Sequence, residues 1–134
     1  MDTIWGPADV TASLVAYYRG HGYDARTRVP IERVPGMIRV TRTGGGPANE
    51  AQDEARMLVE VWESTQEAAF DLARDLWALL AVIDEGDQKA LPGVITYLVV
   101  PDFPVQYPDD HAPDLDRHQF TVTARVAFEE VNVP

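Results

Sequence analysis

The sequence predicts an α+β domain: a mostly antiparallel β-sheet of about four strands with two helices packed on one face, in the order α-β-β-α-β-β. Two observations carry that expectation. A strand-like run, EARMLVEVWES from Glu54, leads straight into the longest amphipathic stretch, TQEAAFDLARDLWALLAVIDE. There Ala69, Leu72, Ala73, Leu76, Leu79, Leu80 and Ile83 recur at three- and four-residue intervals, which places them on one stripe of a helix. Later, Phe120, Val122, Ala124, Val126 and Phe128 alternate with Thr121, Thr123, Arg125 and Ala127, the two-residue period of a strand with one buried face. The helical stripe needs a flat partner, and the alternating runs supply it. With 134 residues, the chain has room for one core, so residues 1–134 read as a single domain.

The elements follow in order. A first helix is expected over Pro7–Arg19, with Val10, Leu14 and Tyr17 on its apolar side and Gly20 and Gly22 as its stop. Residues 23–35 hold Pro30 and Pro35 and should run extended, with a short edge strand near Arg28. Met37–Thr43 alternates as a strand with one wet face. Gly44, Gly45, Gly46 and Pro47, followed by Asn49, Glu50, Gln52 and Asp53, read as a long mobile hairpin loop. The next strand ends at Ser64, which with Glu67 forms a capping-box pattern that starts a helix over about 65–84. Val94–Val100 is a strand by its β-branched and aromatic content. Residues 101–118, with four prolines and five aspartates, have no period and read as a surface excursion.

Charge narrows the partners. The formal net charge is −11, and it is uneven: six arginines face four acids up to Arg42, whereas five bases face eighteen acids from Thr43 onward. Such a chain should not grip a phosphate backbone, though it could sit beside DNA and repel it. The segregated signs suit contacts between copies, with Arg26, Arg28, Arg33, Arg39 and Arg42 on one side and Asp109, Asp110, Asp114 and Asp116, an exposed acidic cluster, on the other. Association of that kind would weaken with salt. Tyr17 and Tyr18, beside the arginines, have the composition of an interface. Gly44, Gly45, Gly46 and Asn49 would form a mobile assembly loop. No cysteine is present, the opening MDTIWGPADV lacks the positive charge of a signal peptide, and no apolar run approaches the roughly 20 residues that span a bilayer. A soluble intracellular domain without membrane partners is expected.

Catalytic motifs are weak. The glycine triplet lacks the Lys-Ser/Thr of a phosphate loop. Ser13 and Ser64 both fall at helix positions, which argues against a serine nucleophile. Asp109, Asp110, His111, Asp114, Asp116 and His118 could offer metal ligands, yet they match no familiar spacing, so a metal-dependent enzyme is the lesser alternative. No cofactor, metal or catalytic residue is expected.

The succession of a Tyr-rich helix ending in Gly20-His21-Gly22-Tyr23, then TRVP, GMIRVTRTGGG, ARMLVEVWEST, an Ala/Leu-rich helix and HQFTVTARVAF resembles the tail terminator (tail completion) proteins of long-tailed, siphovirus-type bacteriophages, especially those of actinobacterial hosts. The resemblance runs from about Val10 to Phe128. It implies a structural virion protein that closes a ring, usually a hexamer, on the head-proximal end of the tail tube. Its partners would be its own copies, the tube protein and the head-tail connector or stopper, with DNA passing through the lumen without specific binding. Its place would be the tail-neck junction, after assembly in the host cytoplasm. A head-tail stopper or a tube protein would share the charge and size, and a cellular adaptor domain is a further alternative.

Overall fold

A computed structural model describes residues 3–134; Met1 and Asp2 lie outside them. In chain order the elements are β1 (Ile4–Gly6), α1 (Val10–Gly20), β2 (Asp24–Arg26), β3 (Met37–Pro47), β4 (Gln52–Glu63), α2 (Gln66–Ala81), β5 (Thr96–Pro101), β6 (Val105–Gln106), β7 (Asp116–Ala127) and β8 (Glu129–Val131). One sheet runs β2-β3-β4-β7-β5, with β6 extending the β5 edge by pairing to β7; β1 and β8 form a separate two-stranded ribbon. Both helices cover one face of the large sheet.

Register explains which side chains meet the helices. Val59 on β4 lies between Val40 on β3 and Phe120 on β7, while Met57 lies opposite Val122 and Ala55 opposite Ala124. All of these are buried, together with Ala69, Ala73, Leu76 and Leu80 from α2 and Leu14 from α1. The stripe of α2 thus packs on the alternating residues of β7, with Leu76 and Val122 in one core.

The expected α-β-β-α-β-β order and four-strand count are corrected. The large sheet has six strands and is mixed, because β2 runs parallel to β3. The four added strands, β2 and β6 in the large sheet and β1 and β8 in the ribbon, have only two or three residues, too short for a period to show. The edge strand expected near Arg28 sits two residues earlier, at Asp24–Arg26. Helix starts also shift. α1 begins at Val10 rather than Pro7, and Asp9 caps it by accepting from the Ala12 amide at 3.0 Å. Thr65, not Ser64, caps α2, its side chain accepting from the Ala68 amide at 3.1 Å while its own backbone is still extended.

The larger correction concerns residues 44–53. Gly44, Gly45, Gly46 and Pro47 are not a loop but the end of β3, paired with Arg56, Ala55, Glu54 and Asp53. The connection shrinks to Ala48–Ala51, where the Asn49 side chain accepts from the Ala51 amide. Glycine is needed for a ladder reason. Gly45 has φ +97°, and a Cβ there would stand 2.0 Å from the Glu54 carbonyl oxygen. A bulge falls between Arg42 and Gly44, and Arg42 locks it by donating to Gly44 and, through two bonds of 2.6 and 2.8 Å, to Asp53.

Leu76 is fully buried, so Leu76→Ala should cost about 2–5 kcal/mol in urea unfolding. A cost below about 1 kcal/mol would mean that the α2 stripe is not the core contact described here.

Candidate interaction surfaces

The helix-free face of the sheet carries its own buried chemistry at the end where β4 finishes. Trp62, opposite Arg117, is fully buried although it points away from both helices. Its cover comes from two irregular segments. The β2–β3 connection brings Arg33 to 5.5 Å from the ring centroid, Arg39 stands at 5.4 Å, and the segment before β7 brings Asp109. An indole N–H can only donate, and here it donates to Asp109 Oδ2 at 2.8 Å. The Arg33 Nε lies 3.3 Å from the same oxygen.

Glu60, also buried, is the second anion of this face. Arg39 donates to it through two bonds of 2.8 and 3.0 Å, and Arg117 adds a third of 3.0 Å. The fork-to-fork pairing with Glu60 holds the Arg39 guanidinium charged more firmly than usual. Burial works against the Asp109 charge, but the bonds from Trp62 and the His111 amide, with Arg117 and Arg33 near, outweigh it and hold the carboxyl below the usual carboxylate range.

The residues expected to face a neighbouring copy are therefore distributed differently. Tyr18 is a correction: it is fully buried and donates to the Leu76 carbonyl, and burial pushes its phenol well up, with Tyr17 and Tyr23 adding to the effect. Tyr17 is half-buried and donates to the Leu79 carbonyl, an acceptor that the end of α2 leaves without a helical partner. Asp109 is likewise not exposed. Four of the five arginines bond within the chain, Arg26 to Asp24, Arg33 to Asp109, Arg39 to Glu60 and Arg42 to Asp53. Arg28 is exposed and makes no ion pair among the described residues. Asp110 and Asp114 are exposed, and Asp116 lies 2.8 Å from His118 Nδ1 and accepts from Gln106. Among the described residues no three His, Asp or Glu side chains gather as metal ligands, and no helix is long and apolar enough to cross a membrane.

Sequence reasoning missed the exposed apolar patches, because isolated hydrophobic residues in irregular segments carry no period. One lies on the ribbon, where Ile4 and Val131 are exposed opposite each other, with the exposed Trp5 on the ribbon's other side. A second is Ile31 with Val34 on the β2–β3 connection, and a third sets Phe70 of α2 beside Phe103, while the exposed Val105 and Tyr107 lie on the helix-free side of the same edge. Beside the third, Phe70, Arg74, Trp77, Phe103 and Pro104 line a groove of about 320 Å³, with the Trp77 and Phe103 rings 5.3 Å apart.

The lowered Asp109 carboxyl makes stability depend on pH with a definite sign. The ionised group favours the folded state above the unfolded carboxylate's pKa, about 3.9, and that contribution is lost as pH falls through the lower folded value. Asp109→Asn should therefore be less stable than the parent at pH 7, with the gap narrowing in urea titrations taken toward pH 3. A gap that stays constant would sink the assignment. Glu60→Gln, which leaves Arg39 and Arg117 without their shared anion, should cost about 1.5–3 kcal/mol at pH 7.

No family model matches the chain, and no curated protein matches it in sequence.

Proposed function

We propose that the chain is a structural virion protein of the tail terminator kind, closing a ring on the head-proximal end of a phage tail tube and offering a surface to the head-tail connector. The reading starts from the resemblance in motif order. The observation that carries it further is that large apolar side chains stand exposed in separate places, among them Ile4 and Val131 on the ribbon, Ile31 on the β2–β3 connection and Phe103 beside α2. Exposed patches of this kind mark interaction surfaces. A ring member needs two unlike patches for its neighbours on either side, and an axial partner needs another. The net charge of −11 suits a lumen through which DNA slides without sticking.

The internal ion pairs change what binds copies together. With most of the arginines already bonded within the chain, apolar contacts carry the affinity. Salt then acts mainly by screening the repulsion between acidic copies, as the Debye length falls from about 10 Å at 0.1 M to about 3 Å at 1 M. Light scattering after size exclusion should show one closed oligomer whose mass stays fixed over a concentration series and whose population rises with salt. Electron microscopy should show rings. Open-ended polymers would point to a tube protein, and a monomer at every concentration would sink the reading.

A further inference from the structure

We infer that the two segments crossing the end of the sheet, residues 27–36 and residues 107–115, form a double strap that opens as one unit over Trp62, with the Arg33–Asp109 contact as its clasp. This holds whether or not copies of the chain assemble.

The first strap has little else to keep it down. Between Thr27 and Pro35 no side chain is fully buried, and only Val29 and Arg33 are partly covered. Among the described residues its side-chain bonds and ion pairs are all made by Arg33. That residue donates from Nη1 to the carbonyls of Pro30 at 3.1 Å and Ile31 at 2.9 Å, inside the strap, and places Nε 3.3 Å from Asp109 Oδ2 with its guanidinium over the Trp62 ring. At the far end the Gly36 amide donates to the Trp62 carbonyl at 2.8 Å, which fixes a hinge. A segment with so few buried contacts belongs to the least stable part of a fold. One side chain decides whether it stays closed.

The second strap returns the dependence. Arg117 anchors its start by donating to the carbonyls of Tyr107 at 2.8 Å and Pro108 at 3.0 Å. Beyond that point Asp109 makes the tie to the sheet: Oδ2 accepts from the Trp62 indole at 2.8 Å, while Oδ1 accepts from the His111 amide at 3.0 Å and folds the strap on itself. A buried carboxylate needs a cation, and Arg33 is the one described within ion-pair distance. Without it Asp109 is drawn toward water and takes the cover of the indole with it. Neither strap leaves without breaking the same contact, and the open form bares the Trp62 ring, with Arg39 beside it, on the helix-free face.

The Trp62 indole N–H reports the opening directly, because it exchanges with solvent only when Asp109 has left it. Of the three tryptophan indole signals in nuclear magnetic resonance, it is the one that survives both Trp5→Phe and Trp77→Phe. In the parent, hydrogen exchange at this indole should be faster than at the Val59 amide in the middle of β4. Its rate should also stay flat over low urea, where exchange through global unfolding rises steeply. Arg33→Ala should speed indole exchange about tenfold or more and loosen residues 109–112 of the other strap. Asp109→Asn keeps an oxygen for the indole but offers Arg33 no charge, so it should loosen residues 28–34 in nitrogen relaxation. Arg26→Ala, at an exposed pair outside both straps, should leave both straps as they were. The Val59 amide is read in the same samples, so an Arg33→Ala that speeds both signals equally has weakened the whole fold and overturns the clasp. So does a parent indole that exchanges only as fast as Val59, or an Arg33→Ala that loosens its own strap alone.

Discussion

An indole buried on the face of the sheet that no helix covers sets the requirements that much of the surface structure meets. Trp62 follows Val61 on β4, and since successive strand residues point to opposite faces, burying Val61 against the helices sends Trp62 the other way. Its ring needs apolar or cationic cover and its N–H needs an acceptor. Two segments without regular structure cross the end of the sheet to provide them, one bringing Arg33 and the other Asp109. The buried carboxylate in turn needs a cation, which Arg33 supplies. Arg39, flanking the same ring, needs an anion, and the residue opposite it in register is Glu60, which Arg117 also satisfies. Each group is explained by the one before it.

That chain of needs also accounts for the lopsided charge distribution. The arginines of the first third of the sequence and carboxylates of the remainder are separated along the chain because they meet across strands. Arg39 reaches Glu60 and Arg42 reaches Asp53 over the β3–β4 ladder, and Arg33 reaches Asp109 from one covering segment to another. A bidentate pair with a buried carboxylate holds geometry in a way that an exposed pair such as Arg26–Asp24 does not. What remains on the outside is a surplus of acid.

The parts of this fold that could be read from the sequence are those whose length lets a period emerge. The α2 stripe and the alternation of Phe120 to Val126 were visible because seven and four buried or half-buried residues, respectively, recur at constant spacing. The ribbon was invisible, since three residues paired with three others more than a hundred positions away leave no local signature. The glycine triplet was misread for a different reason. Glycine signals both a flexible turn and a backbone crowded by its neighbour, and only the position of the Glu54 carbonyl tells the two apart. Tyr18 and Asp109 were placed outside because composition favours interfaces for the one and solvent for the other. Their hydrogen bonds to Leu76 and Trp62 depend on tertiary approach that no spacing encodes.

The pairing of β4 with β7 bears on how the molecule comes to be folded. Even the closest partners in that ladder, Glu63 and Asp116, are 53 positions apart, with α2, β5 and β6 threaded between them. The neighbouring β3–β4 hairpin can close over four residues, but the centre of the sheet must bear the entropy of a long loop before any of its bonds form. Topologies dominated by such distant pairings fold in about milliseconds to seconds rather than microseconds. On the ribosome the interval is longer still. One edge of β4 stays bare until β7 has emerged, so this nascent protein carries an open strand in need of protection over the whole of that interval.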